Sequence, residues 1–453
     1  MADVVTCFVR ERGEILLTRR SDAVGTYQGR WAGVSGYVEG DPADAERDAR
    51  RELREEVALT DADLELVRVG EPLAVDDAEG SFTVHPFLFE TGTRSVTTNE
   101  ELAAIEWVDP TEIRHRETVP RLWATWRRVA PTVETVREDR THGSAWIAAR
   151  ALEVLRDAAV DADEWDDVAE TVRDLRDARP GMAAVENRVN RVLAEVTSSA
   201  VTDSDQDSAS TDTLPDPDAV VDRAIDALAA AFDADTEAAE TAVQRLQDAE
   251  ATAVATLSRS GTIRESLAAL SGTDEDDPDS GDPGPSPSAL VVAESRPEGE
   301  GVGVAEWAAR ETDASVTLTT EAALPSALAT HDVDAVLVGA DSIAPTGDVV
   351  NKTGTRVLAL AAREIGIPVY VVAAADKIRA ATDGKSGRDS HPAETSPTDA
   401  VYDGDADIAV HAPTFEEIPA DLIDGVATDA GLLDASAVRE VAERHAEYAA
   451  WDS

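Results

Sequence analysis

Residues 36–59, GYVEGDPADAERDARRELREEVAL, run from a polar loop into a helix. The helical pattern covers Ala43 to Ala58 and sets Glu52, Glu55 and Glu56 at i, i+3 and i+4, so three carboxylates share one helix face. Like charges placed this way repel one another. The arrangement is tolerable where a hard divalent cation holds the oxygens, and Mg²⁺ is commonly bound by a few carboxylates together with the phosphates of a substrate. A solvated acidic face is the competing explanation, and the loop before the helix decides between them.

Working outward, "VVTCFVR" and "EILLTRR" around Arg12-Gly13 predict a β-hairpin. Strands follow at "LELVRVG" and "FTVHPFLFE", and "EELAAIEWVDPTEI" with a Trp-containing helix closes a first domain over residues 1–130. The pattern then turns helical, predicting a helical subdomain over 136–271 whose last helix runs through "AEATAVATL" to Leu257. "SSAVTDSDQDSASTDTLPDPD" interrupts it as an acidic surface loop, and residues 272–288, rich in Pro, Gly, Ser and Asp, form a solvated linker. Over 289–453, buried-type strands "ALVVAES", "SVTLTT", "DAVLVGA" and "PVYVVAA" alternate with helical segments. That alternation implies an α/β doubly wound parallel sheet, whose ligands bind beyond the carboxyl ends of the strands.

Composition narrows the function. Asp and Glu number 92 against 40 Lys and Arg, a net charge of −52, while 43% of residues are hydrophobic. The apolar content excludes a wholly disordered acidic chain. The charge excludes a general nucleic-acid or anionic-membrane binder. Only three of the basic residues are lysines, Lys352, Lys377 and Lys385. With its abundant acid and Ala, the chain resembles proteins of salt-in extreme halophiles, where a Debye length of about 3 Å or less screens self-repulsion. Cys7, the only cysteine, lies in an apolar run and is expected to be a buried thiol. With no leader-like start and no apolar run of membrane length, the chain is expected to be soluble and cytoplasmic.

The loop and helix of residues 36–59 resemble the Nudix box, Gly-x5-Glu-x7-Arg-Glu-U-x-Glu-Glu-x-Gly-U, and Arg51-Glu52-Leu53-x-Glu55-Glu56 matches its core residue by residue. "LLTRRS", Gly29-Arg30-Trp31 and "EELAAIEWVDPTEI" are similar to the same family. The chain departs from the pattern twice. Asp41, the candidate for the first motif acid, lies ten positions before Arg51 where the pattern has eight, and the last motif glycine is Ala58. A helix end accepts that methyl where the residue is not at positive φ. The resemblance implies a Nudix α-β-α sandwich in which Glu52, Glu55, Glu56 and Asp41 ligate Mg²⁺ or Mn²⁺ and Arg51 orients the glutamates. A metal-activated water would attack a nucleoside diphosphate linked to some moiety X, with Glu100 or Glu101 as a further catalytic carboxylate.

"LRDARPGMAAVENRV", "SRSGTI", "ESRPEGEG", "VLVGADSIAPTGDVVNKTGT" and "FEEIPADLIDGVATDAG" resemble, in order, the regulatory subunits of translation initiation factor 2B and their relatives, ribose-1,5-bisphosphate isomerase and methylthioribose-1-phosphate isomerase. This implies a helical subdomain followed by a Rossmann-like one, in a homodimer or higher oligomer. Arg296 can bind a phosphate bidentately, with Lys352 as a point charge, Asn351 as a neutral donor and Lys377 beside them. In the isomerases the acid matching Asp341 works with a cysteine, but Ser258 stands near that place here. Without the thiol a sugar-phosphate or nucleotide sensing role is favoured over catalysis. The expected function is thus a metal-dependent Nudix hydrolase fused to a sensing, dimerising module. The alternatives are a translation-related binding protein with an inert Nudix domain and a sugar-phosphate isomerase.

Overall fold

The structure, a computed structural model, describes residues 2–204, 215–271, 287–381, 396 and 398–452. Lys385 and most of the 272–288 segment lie outside the described residues, as do residues 205–214 of the acidic interruption. The chain divides into two compact units, Met1–Thr135 with Glu153–Asp163, and Val136–Leu152 with Glu164–Ser453.

The first unit is built on an eight-stranded sheet. Strands β1 (Ala2–Glu11) and β2 (Glu14–Arg20) form the expected hairpin, with Arg12 and Gly13 both at positive φ as a two-residue turn of matching twist requires. After β3 (Trp31–Ala32) and β4 (Val34–Tyr37) comes helix α1 (Ala45–Val57), then β5 (Glu65–Val69), β6 (Leu73–Asp76), β7 (Ser81–Glu90), β8 (Leu102–Val108) and helix α2 (Leu122–Trp126). The sheet path is β3-β2-β1-β7-β5, with β4 on β1, β6 on β7 and β8 on β2; β1 and β7 are parallel. Alternation along β1 sends Val5, Cys7 and Val9 toward Ala49, Leu53 and Val57 of α1, and Phe8 to the opposite face with Trp126 and Val129. The result is a helix on each face of one sheet, and Cys7 is fully buried in it.

In the second unit the helices are α3 (Val133–Glu138) and α4 (Ser144–Asp161), which begin in one unit and end in the other, followed by α5 (Trp165–Ala178), α6 (Ala183–Ser204) and α7 (Pro217–Asp248). Here the structure corrects the helical reading through Leu257. Glu250 takes φ 51, which turns the chain, and Ala253–Leu257 is strand β9, buried at every position. A strand buried on both faces has no two-residue period, and this one is rich in Ala, so its sequence looks like the helix before it.

Beyond it lie α8 (Gly261–Ser271), β10 (Ala289–Ala293), α9 (Glu300–Glu311), β11 (Ser315–Thr319), α10 (Leu324–Thr330) and β12 (Ala335–Val338). The chain continues through β13 (Ser342–Ile343), β14 (Val349–Lys352), α11 (Thr355–Ile365), β15 (Val369–Val372), β16 (Phe415–Ile418), β17 (Gly425–Thr428), β18 (Gly431–Leu433) and α12 (Ala435–Ala449). The main sheet runs β11-β10-β9-β12-β15-β17-β18, parallel except for β18, and β13-β14-β16 form a small antiparallel sheet. Leu324, Leu358 and Val438 pack on one face of the main sheet, and Leu246, Leu267 and Val304 on the other. This is a Rossmann-like layering. The strand order reverses between β9 and β12, where ligand crevices of such sheets open.

Candidate functional site

On the first unit, α1 carries Glu52 and Glu56 inward because both follow the apolar stripe Ala45, Ala49, Leu53 and Val57 around the helix. Glu56 is 4% exposed, and burial, together with the charges of Glu52 and Glu101, pushes its carboxyl up to about 8 despite Arg20 and the Ser35 amide. Burial likewise raises Glu52 above the usual carboxylate range, against the hydrogen bond and charge of Arg51. A methyl on Gly36 would stand 2.0 Å from the Glu52 carboxyl carbon, so the bare glycine is what gives that carboxylate its place. Glu55 is 61% exposed and lies 4.0 Å from Arg51.

The loop after β7 brings Glu101 to this group. Its backbone is clipped to the end of α1 by Thr97 N–H to Val57 O (3.1 Å) and Asn99 N–H to Glu56 O (3.1 Å), and Asn99 Oδ1 accepts the Glu101 amide. Glu100 only offers its carbonyl to the Ser21 hydroxyl (2.7 Å). Asp41, expected among the metal ligands, stands in the loop ahead of α1. Its carboxylate accepts the Ala43 amide (3.0 Å) as the N-cap of a 3-10 turn, a local geometry that spacing does not reveal. Arg51 is instead held by Asp48 (2.6 Å) and Glu39 (3.2 Å) and donates to Glu52 (2.7 Å). Asp48, 1% exposed, also accepts the Glu39 amide, so these two acids, not Asp41, tie the loop to the helix. Ala58 does sit at positive φ, 60°, and carries the strain that a glycine would avoid.

Among the described residues no three carboxylate, imidazole or thiol groups already converge as a metal cage. The donor set nevertheless fits a hard cation. Glu52, Glu56 and Glu101 bring oxygen donors that repel one another, and burial with too little positive charge raises Glu52 and Glu56 above the usual carboxylate range.

On the second unit the strand ends assemble a different group. Ser258, at φ 64, follows β9 and donates its hydroxyl to Glu300 (2.8 Å). Lys352, at the end of β14, is paired with Glu298 (2.5 Å) and Glu300 (3.1 Å). Burial would raise Glu300, but Ser258 and Lys352 hold it below the usual range. Asn351 donates to Thr355 (2.9 Å), and the Asp341 amide bonds Val350. Lys377 is buried with its ammonium on Ala340 O (2.8 Å), while Arg296 stands 70% exposed beside Glu294 (3.4 Å). Lys352 thus already has two acidic partners that the sequence did not suggest. A further buried set was also missed: Asp376 is ion-paired with Arg188 (3.1 Å) and Arg191.

Comparison with known proteins decides the ancestry. The profile of the Initiation factor 2 subunit family matches residues 140–435, and that of the NUDIX domain matches residues 1–129. The chain belongs to the Initiation factor 2 subunit family. Its first unit is a Nudix domain, a module that supports a hydrolase. Among curated relatives, the methylthioribose-1-phosphate isomerase of Geobacillus thermodenitrificans is 35% identical over 132 residues, 28% of this chain and 37% of that protein. A putative methylthioribose-1-phosphate isomerase of Pyrococcus horikoshii is 40% identical over 105 residues, 22% and 28% of the two chains. The chain therefore spans well under half the length of these relatives. The structure of the Pyrococcus horikoshii translation initiation factor eIF-2B shares the fold, with a TM-score of 0.50 and 22% identity, covering 66% of this chain and 94% of that one. No helix among the described residues is long and apolar enough to cross a membrane.

Proposed function

We propose that the Nudix domain hydrolyses a nucleoside diphosphate derivative or a related phosphorylated metabolite with Mg²⁺ or Mn²⁺, and that the family domain senses a sugar phosphate or nucleotide. The observation that carries this is the buried Glu56, facing Glu52 and Glu101 with too little positive charge around it. Glu52, Glu56 and Glu101, with the exposed Glu55, would hold the cation. The chemistry it supplies when bound is neutralisation of the diphosphate and acidification of a water. Arg51, locked by Asp48 and Glu39, fixes the Glu52 rotamer.

The acidic, lysine-poor surface supports a cytoplasmic setting of high salt without nucleic-acid or membrane partners, and family membership supports a homodimer or higher oligomer. The test is a screen of nucleoside diphosphate derivatives with Mg²⁺ in multimolar KCl, comparing wild type with Glu55→Gln and Glu56→Gln. Equal turnover in all three sinks the assignment.

A second activity, isomerisation of a sugar phosphate, is favoured by the curated relatives. Against it, a serine held on an ionised glutamate replaces the thiol. Conversion of ribose 1,5-bisphosphate by wild type and not by Asp341→Asn would establish it.

A further inference from the structure

Lys352 in the second unit is held by more negative charge than it needs. Its ammonium, on a side chain 10% exposed, meets Glu298 Oε2 at 2.5 Å and Glu300 Oε2 at 3.1 Å, so one carboxylate is surplus. The two acids differ in how firmly they are placed. Glu300 opens helix α9, and Gly301 beside it is pressed onto the end of β10, where a methyl would stand 2.0 Å from Ala293 O. The Gly301 amide donates to Glu294 O (3.0 Å), and the Glu300 carboxylate also accepts the Ser258 hydroxyl (2.8 Å). Glu300 is thus fixed by its backbone and by a second side chain.

Glu298 lies on the 296–299 turn, outside the helix. Its side chain is 34% exposed, and among the described residues its carboxylate bonds only to Lys352. Of the two partners it is the one free to leave.

The neighbouring backbone donors are taken as well. The amides of Gly354 and Arg356 at the start of α11 share Glu416 Oε1 (2.7 and 3.0 Å), and the Arg296 amide is held by Glu321 Oε1 (3.0 Å). A phosphate arriving here gains Lys352 only by putting out one of its partners. If Glu298 swings away, the ammonium exchanges one anion for another and Glu300 keeps its hold on Ser258, so no buried charge is left bare.

We propose that Glu298 is a built-in competitor for the ligand's anion, an autoinhibitory contact that covers Lys352 until a phosphate displaces it. The proposal rests on the reading that this domain senses a sugar phosphate, and it sets the threshold of that response. A site open roughly a tenth of the time binds about 10-fold more weakly than the same site held open.

The test is calorimetric titration of the full chain with ribose 5-phosphate, and separately with inorganic phosphate, in multimolar KCl. Glu298→Gln is expected to bind both roughly 10-fold more tightly than wild type, whereas Glu300→Gln should show no gain. A second measurement needs no ligand. Lys352, Lys377 and Lys385 are the only lysines of the chain, so their acylation by an amine-reactive reagent can be followed residue by residue with mass spectrometry. Lys352 should acylate roughly 10-fold faster in Glu298→Gln and near the wild-type rate in Glu300→Gln, with Lys377 unchanged in both as the control for folding. Binding that is no tighter in Glu298→Gln, or that gains equally from both variants, would overturn the proposal and leave the sensing reading intact. Acylation of Lys352 unchanged by Glu298→Gln would overturn it whatever binds. No binding of either compound by any of the three proteins, with Lys352 still acylated faster in Glu298→Gln, would overturn the sensing reading and leave the cover standing.

Discussion

The two units each gather carboxylates at a crevice, yet the same residue type is pushed in opposite directions. On α1, Glu56 is raised because burial and two neighbouring acids outweigh Arg20. At the strand ends of the second unit, Glu300 is lowered because Ser258 and Lys352 outweigh its burial. In the first group the charges of Arg20 and Arg51 do not offset the burial of Glu56 and Glu52. The second has its cation covalently attached to the chain. Acid clustering alone therefore says little in so acidic a protein; the local balance of charge is what distinguishes the two groups.

The sharpest way to break this contrast is to neutralise each group in turn. Glu56→Gln should lower kcat of the hydrolase by roughly 10²–10³-fold, the scale on which a preorganised electrostatic group counts, whereas Glu300→Gln should leave it unchanged. Steady-state assays with Mg²⁺ in high KCl decide it, and equal losses in both would erase the distinction.

Burial should show the mirror sign on a base, even one whose ring lies 3.9 Å from the Asp376 carboxylate. His445, 3% exposed, donates to Ile378 O (2.7 Å) and is pushed down to about 4, chiefly by burial. The folded state thus binds fewer protons than the unfolded chain. Its contribution is complete above about pH 6.5 and is lost as the pH falls to about 4, amounting to about 3 kcal/mol. Denaturant unfolding of wild type and His445→Gln across that window should show a shallower acid-side decline in the variant.

Removing the tethered cation should convert the second group into a copy of the first. Lys352→Met leaves Glu298 and Glu300 facing each other. Since these acids are partly solvated, at 34% and 28% side-chain exposure, the loss should be about 2 kcal/mol, below that of a fully buried pair. Adding Glu298→Gln should restore part of it, as read from unfolding midpoints. The smallest effect lies at the end of α1. Ala58→Gly relieves a left-handed alanine and should stabilise the Nudix domain by roughly 0.5–1 kcal/mol, seen as slower amide exchange in the last turn of the helix.

Much of this contrast was legible in the sequence, for definite reasons. Helix α1 announced itself because its apolar residues recur at helical spacing, and the hairpin because Arg12-Gly13 sits between two apolar runs. Strand β9 was hidden because a short, doubly buried, Ala-rich run has no period of its own. Counting along the loop singles out Asp41, but it cannot see that this carboxylate caps a 3-10 turn or that Asp48, one helical turn before Arg51, takes the arginine. Lys352 was conspicuous as a rare lysine. Its partners, 54 and 52 residues earlier in the chain, lie between β10 and the start of α9, whereas Lys352 ends a strand of the small antiparallel sheet, a tertiary meeting that has no local signal.

Gly36 carries a consequence for telling live copies of this domain from dead ones. The space that the Glu52 carboxylate occupies is the volume of a missing side chain. A descendant could keep every acid of RRELREE and still be silenced by a single methyl on β4, at the glycine that opens the motif ahead of those acids. Inventories of intact acidic helices would count such a gene as an active hydrolase, and the glycine opposite the helix is the letter that would expose the error.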